Sequence, residues 1–213
     1  MAMMIFDLTE ATRRTLLKLA AAMGALVLTL GLAWPDESTA GIPTDQLRTT
    51  IDRVLMILRD PQLNSADAKE ARRAELRKAI FPRFDFEEMA KRCLGSEWRR
   101  RTPSEQKEFV SLFTELLKDS YVGSIESYRS EKVLYRRESQ DGDYAAVDTT
   151  VVTKRGEEFA IDYRLTIEGN QWKVYDVVIE NVSIVNNFRS QFRHILGRSS
   201  FADLLEMIRD KVR

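Results

Sequence analysis

The chain has 213 residues, of which 33 are basic and 33 acidic, for a net charge of zero, and 44% are hydrophobic. That length holds about one domain with a real core once a removable leader is set aside, and balanced charge supplies no field of the kind that marks a nucleic-acid binder. One cysteine, Cys93, excludes an internal disulfide, and one histidine, His194, without a second ligand at metal-binding spacing, argues against a transition-metal site.

The first forty residues read as an export signal. Thr12-Arg13-Arg14-Thr15-Leu16-Leu17-Lys18 precedes an uncharged run from Leu19 to Pro35, and Ser38-Thr39-Ala40 places small residues where a signal peptidase reads. The Thr-Arg-Arg-x-Leu-Leu-Lys core resembles a twin-arginine signal, and a general secretory signal that carries two arginines fits the same residues. The apolar run is shorter than the ~20 residues of a membrane span, and Cys93 lies far from the cleavage region, so neither a spanning helix nor a lipid anchor is expected. The expectation is a leader over residues 1–40 and one domain over 41–213, starting near Gly41 and released into the periplasm.

From Thr44 a helix carries Leu47, Ile51, Val54, Leu55 and Leu58 on one face and closes at Pro61. A charged helix over 66–80 has a thin stripe of Ala71, Leu76 and Ile80, and must end before Pro82. A short third helix follows with Phe84, Phe86, Met89, Ala90 and Leu94, which Gly95 terminates. Thr102-Pro103-Ser104-Glu105 is a strong helix start, with Thr102 as cap, Pro103 at the first position and Glu105 able to reach back. The helix it opens is expected to run to Tyr128, roughly 39 Å, with a stripe from Phe109 and Phe113 through Leu117 to Tyr121 and Ile125.

Four strands come next. Lys132 to Glu138 and Tyr144 to Thr153 are joined at Asp141-Gly142. Phe159, Ile161, Tyr163, Leu165 and Ile167 alternate with polar residues, the signature of a sheet with one dry face. In the strand from Trp172 to Glu180 the denser apolar row is Tyr175, Val177 and Ile179. A turn one residue longer than Gly169-Asn170 sets that row opposite Leu165, Tyr163 and Ile161, with Gly169 or Asn170 at positive φ. The wet face then carries Asp148, Arg164 and Asp176 in a row. A helix over 184–196 and a last one from Ser199 complete an α+β fold: an antiparallel four-stranded meander with several helices packed on one face, enclosing an apolar pocket. The aromatic stripe of the long helix is expected to meet the dry face of the sheet.

No nucleophile elbow, phosphate-binding glycine loop or zinc-protease motif is present, and His194 beside Arg193 reads as a surface or capping residue. The carboxylates of Asp148, Asp162 and Asp176 read as register pairs, so no catalytic residue is assigned. A pocket-bearing enzyme of the α+β cone type and a periplasmic chaperone or interaction module remain as alternatives to a ligand carrier.

Several pieces in order carry a family resemblance: Phe84-x-Phe86-x-x-Met89-Ala90, Leu94-Gly95-x-x-Trp98, Thr102-x-x-Glu105-Gln106-x-x-Phe109, Tyr163-Arg164-Leu165, Trp172-Lys173-Val174-Tyr175-Asp176-Val177, and Ile179-Glu180-x-Val182-Ser183. Together they resemble the MlaC, or toluene-tolerance, family of periplasmic phospholipid carriers. Asn181 stands where that family's pattern has glycine, and Phe188 where it has tyrosine. The resemblance implies a non-enzymatic monomer with a phospholipid as its bound ligand and no cofactor. Its implied partners are an outer-membrane lipoprotein complex and an inner-membrane ABC transporter, between which it shuttles lipid to maintain outer-membrane asymmetry. The dry volume it needs is expected from Phe113, Leu117, Tyr121 and Ile125 on the long helix, Tyr163, Leu165, Val177 and Ile179 on the sheet, and Val185, Phe188 and Phe192 on the helix that follows. Arg189, one residue past Phe188, is the expected head-group contact, since its guanidinium can give two parallel bonds to phosphate.

Overall fold

The computed structural model describes residues 42–65, 67–126 and 132–213. The leader expected over 1–40 and the start at Gly41 lie outside the described residues, as do Ala66 and Tyr128. Six helices are described: α1 (Ile42–Arg59), α2 (Lys69–Ile80), α3 (Phe86–Leu94), α4 (Pro103–Ile125), α5 (Ile184–Leu196) and α6 (Phe201–Lys211). Between α4 and α5 runs an antiparallel sheet in simple sequence order, β1 (Lys132–Asp141), β2 (Tyr144–Val152), β3 (Glu158–Glu168), β4 (Gln171–Ile179) and β5 (Val182–Ser183). The expected α+β meander is present, with a fifth, two-residue strand added.

The local rules that start and stop these elements operate as read. Glu105 accepts a hydrogen bond from the Thr102 N–H at 2.7 Å while the Thr102 hydroxyl accepts the Glu105 N–H at 3.3 Å, a reciprocal cap at the head of α4. Gly95 ends α3 at φ +60°, where a side chain would be strained. Ser200, one residue later than expected, caps α6 in a box with Asp203.

The register between β3 and β4 pairs Ile161 with Ile179, Tyr163 with Val177 and Arg164 with Asp176, as expected, but the extra residue is not in the turn. Glu168 pairs with Gln171 around a tight Gly169-Asn170 turn, with Gly169 at positive φ, and the surplus is a bulge at Tyr175, so that Leu165 meets Val174. The bulge moves Tyr175 out of the dry row and turns it to Arg92 of α3, whose guanidinium lies 4.1 Å from its ring centroid. Val174 and Trp172 enter the dry row in its place.

Two further expectations are corrected. Asp148 pairs with Asp162, not with Arg164, because the turn between β2 and β3 closes at Val152–Glu158, with the Thr153 N–H donating to the Glu157 carbonyl, and sets β2 two residues along β3 from the expected register; Arg164 faces Ala146. Asp176 is also not on a wet face: it is 2% exposed. The chain reverses after β4, and β5 with the head of α5 closes over it.

The interior divides into two apolar bodies. On the sheet, Ala145, Val147, Leu165, Trp172, Val174 and Val177 are buried together with Leu47 of α1, and Ile51 packs on them. The stripe of α4 was expected in that position; it packs instead among helices. Phe113 meets Phe188 and Phe192 of α5 edge to face at 5.3 and 6.0 Å, and Phe109 meets Phe192 and Phe201 at 5.5 and 6.0 Å. α1 wins the sheet because it arrives with polar anchors. The Thr44 N–H donates to the Glu138 carboxylate of β1 at 2.8 Å, and the Gln46 side chain accepts from the Trp172 N–H at 2.9 Å and donates to the Asn170 carbonyl at 3.0 Å.

Candidate functional site

The residues read from the sequence as pocket walls fall into three settings. Phe113, Phe188 and Phe192 interlock in the helical body and are nearly inaccessible. Leu165 and Val177 are buried beneath α1, whereas Tyr163 and Ile179 on the same sheet face are only half-buried, with Ile161 and Ile184 beside them. Leu117 is buried on the second half of α4, and Tyr121 and Ile125 further along it are half-buried. Val185 is buried at the head of α5, its N–H donating to Asp176 Oδ1 at 3.1 Å. The structure therefore gathers the sheet residues with one another and the phenylalanines with one another, but does not join the two sets in one wall.

What distinguishes the sheet set is incomplete cover. Its residues at the Leu165, Val174 and Trp172 end lie flat under Leu47, but the row toward Ile161, Ile179 and Ile184 keeps part of its apolar surface accessible. The result is an apolar strip that is continuous with the dry core and only partly covered.

The junction between the two bodies is polar and closed. Asp176 Oδ2 accepts from the Ser183 hydroxyl at 2.7 Å and from Arg164 at 3.1 Å. Cys93 of α3 is buried beside Val185, its sulfur 3.6 Å from that residue's carbonyl oxygen, and burial with Asp176 nearby pushes its thiol well above the ordinary range, so it is an unreactive packing residue. Burial likewise pushes the Tyr121 hydroxyl up to about 12, with Cys93 and Asp176 adding to it. Both shifts carry Cys93 and Tyr121 away from proton transfer near neutral pH. Among the described residues no group of three acidic, histidine or cysteine side chains is placed to hold a metal ion.

Arg189 is exposed and lies across Gly95, in a cleft of about 350 Å³ between the ends of α3 and α5 that is shared with Arg193 and contains no strand residue. A second cleft, of about 190 Å³ beside Trp98 and Lys107, also lies away from the sheet. The head-group role read for Arg189 thus finds no apolar strip beside it. Tyr135, not singled out in the sequence, where one tyrosine in a mixed strand carries no signal, packs against the buried cluster of the sheet, with the Arg48 guanidinium 4.6 Å from its ring centroid.

The sequence profile of the family described as MlaC protein matches residues 48–210. This chain belongs to the MlaC family. It is 25% identical over 192 residues to the toluene tolerance protein Ttg2D of Pseudomonas putida, covering 88% of this chain and 83% of that one. It is 23% identical over 138 residues to the intermembrane phospholipid transport system binding protein MlaC of Haemophilus influenzae, covering 62% of this chain and 64% of that one. A solved structure, the phospholipid-binding protein of Ralstonia solanacearum in complex with a phospholipid, superposes with a TM-score of 0.69 at 28% identity, over 79% of this chain and 95% of that one. Both departures from the MlaC pattern have a structural account here. Asn181 keeps the positive φ, +65°, that glycine would supply, next to Glu180 at +47°. Phe188 meets Phe113 edge to face in the helical body, where a hydroxyl would need a partner.

Proposed function

We propose that the protein is a periplasmic, monomeric phospholipid carrier of the MlaC type, not an enzyme. It takes lipid between an outer-membrane lipoprotein complex and an inner-membrane ABC transporter and so helps to keep the outer membrane asymmetric. The observation that carries the reading is the likeness, across 95% of its length, to a protein solved with a phospholipid bound. The open strip on the dry face supports it, with Tyr163, Ile161, Ile179 and Ile184 as the acyl-chain seat and Tyr121 and Ile125 of α4 as its opposite side.

The energetics explain why such a seat is dry and uncharged. Each buried methylene is worth about 0.8 kcal/mol, so two acyl chains cross water only if nearly their whole length is covered. The bilayer offers the same burial, so a carrier can match the membrane but not outbid it, and net transport needs a gradient or an energised partner. Among the described residues no helix is long and apolar enough to cross a membrane. Organic extraction of the purified protein followed by mass spectrometry tests the reading. Stoichiometric phospholipid is the expected result; a protein that comes away empty and does not take up phospholipid from vesicles overturns it.

A further inference from the structure

We propose that the basic cleft between the ends of α3 and α5 is a docking site for a carboxylate-bearing segment of a protein partner, gripped by Arg189 and Arg193. The inference rests on the carrier reading for who that partner is, a membrane complex that loads or unloads the lipid, and adds where the complex takes hold.

The cleft, of about 350 Å³, is lined by the apolar Leu94 and Leu196, by Gly95 and Glu97, and by the two arginines. Arg189 and Arg193 stand one turn apart on α5, so their guanidinium groups share one face of the helix. Gly95 seats the first of them: a Cβ at that position would stand 3.2 Å from Arg189 Nη2 and 3.3 Å from Nε, so the bare backbone is what the guanidinium lies against. A group held in this way has less freedom to lose when an acceptor arrives. Neither guanidinium has a hydrogen bond or an ion pair among the described residues. Glu97, the one carboxylate that lines the cleft, is engaged by Arg100 at 2.8 Å and Arg101 at 3.4 Å. The carbonyl ends of α3 and α5 make positive charge favourable here, yet they accept from neither fork.

The surroundings carry the same sign. Residues 95–101 and 184–198 hold six arginines and a single acidic residue, Glu97, in a chain whose total charge is zero. The next carboxylate along the chain, Asp203, is spent on the Ser200 cap. So uneven a field steers an acidic partner to this side of the molecule. A protein segment is favoured over a lipid surface by what the two stretches lack. Membrane-seating surfaces set basic groups around exposed apolar side chains, and the exposed large hydrophobic residues, Ile42, Met56, Tyr144, Ile167 and Val182, all lie outside them. Two forks around a concavity instead fit a protruding carboxylate, which takes two parallel bonds from a guanidinium. No strand residue lines the cleft, so a partner held there leaves the open strip of the sheet free to pass lipid.

Two measurements test the site, and both arginines are exposed, so their variants are expected to fold. The first is binding of a labelled peptide of alternating glutamate and leucine, read by fluorescence anisotropy, with its glutamine counterpart as the uncharged control. Arg189→Ala and Arg193→Ala are each expected to weaken binding of the glutamate peptide about fivefold, and Arg189→Lys, which keeps the charge but not the fork, about twofold. Arg155→Ala, at an exposed position in the turn between β2 and β3, is expected to leave it unchanged. An equal loss in Arg155→Ala, or equal binding of the glutamine peptide, overturns the proposal. The second follows delivery of fluorescent phosphatidylethanolamine from the loaded protein to native membrane vesicles and to protein-free liposomes of the same lipids. The double variant Arg189→Ala/Arg193→Ala is expected to deliver about tenfold more slowly to the native membranes and at the wild-type rate to the liposomes. Wild-type rates on both, slowing on both, or loss of phospholipid from the loaded variant, which would return Arg189 to the head group, each overturn the proposal. A wild type that holds no phospholipid overturns the carrier reading instead, and the peptide titration then decides the cleft.

Discussion

The Ser183 hydroxyl donates to Asp176 Oδ2 at 2.7 Å and at the same time accepts the Asn186 N–H at 3.0 Å, so one buried carboxylate at the end of β4 sets the N-terminus of α5. Asp176 Oδ1 takes the Val185 N–H as well, satisfying a second orphan donor of the first turn. Through these bonds the sheet body and the helical body hold a fixed relation. Asp176→Ala leaves two buried donors, the Ser183 hydroxyl and the Val185 N–H, without an acceptor, frees the exposed Arg164, and is expected to lower unfolding free energy by about 2–3 kcal/mol in a urea titration. Ser183→Ala, which removes the cap and keeps the carboxylate on Val185, is expected to cost about 1 kcal/mol.

A backbone constraint holds the end of α3. A Cβ on Gly95 would stand 3.2 Å from Arg189 Nη2, a flexible contact that can give way, but the residue's φ of +60° cannot be relieved in the same manner. Gly95→Ala is therefore expected to destabilise by about 1 kcal/mol or more, and truncating the arginine in the double variant Gly95→Ala/Arg189→Ala is expected to recover little of it. Full recovery in a thermal melt would assign the cost to the arginine contact instead.

How much of this was legible in the sequence depends on which question a residue answers. Alternation along β3 identifies the dry face, since period two admits one solution, and Ile161, Tyr163 and their partners Ile179 and Val177 stand in the expected register. A stripe, however, says that a helix has a dry face and not what that face meets. The stripe of α4 was read as the sheet's partner and that of α1 was given none, yet α1 takes the sheet, and the choice turned on Thr44 and Gln46, polar side chains with no periodic signature. The bulge at Tyr175 was hidden for a similar reason. A surplus residue can sit in a turn or in a strand, and Arg92, 83 residues earlier in the chain, decides it. Asp176 was placed opposite the correct arginine, but its burial comes from the return of the chain through Ser183, which strand pattern does not encode.

The pairing of Asp148 with Asp162 predicts a pH effect. Burial first, and then the facing carboxylate, raise the ionisation of Asp162 above its usual range. For an acid whose folded-state value is raised, the ionised form destabilises the fold, so stability is lost as pH rises through that folded value and regained as pH falls through it. Asp162→Asn is expected to stabilise the protein at neutral pH by roughly 0.2–1 kcal/mol, the range for like charges opposed across strands, and to lose that advantage below about pH 4, where the wild-type carboxyl is itself protonated. Paired melts across that window would show it; an advantage that persists in acid would point to packing instead of charge.

Glu126 predicts the opposite slope. Burial pushes its carboxyl up, but hydrogen bonds from Arg72 and Arg73 outweigh that and hold it below the ordinary range. The Arg72–Glu126 pair, at 2.9 Å with both side chains about nine-tenths buried, ties α2 to the end of α4. Stability from this pair is present above the unfolded carboxyl value and is lost as pH falls through the lower, folded one. Glu126→Gln is expected to cost about 3 kcal/mol at neutral pH, because two guanidinium groups are left short of a counter-charge, and the difference from wild type is expected to shrink in acid.

The last prediction separates carrying lipid from holding the fold, using two aromatic residues of similar size. Phe113 is fully buried and contacts Phe109, Phe188 and Phe192, so Phe113→Ala opens a cavity in the helical body and is expected to cost about 3–5 kcal/mol. Tyr163 is half-buried on the open strip of the sheet, so Tyr163→Ala removes contact surface without enclosing a void and is expected to cost no more than about 2 kcal/mol. Lipid content should move the other way. The folded fraction of Phe113→Ala, purified under stabilising conditions and checked by circular dichroism, is expected to carry phospholipid near the wild-type ratio, while Tyr163→Ala loses a large part of it. If Phe113→Ala emptied the protein and Tyr163→Ala left it full, the acyl chains would lie among the helices, and the strip beside Ile161 and Ile179 would be ordinary surface.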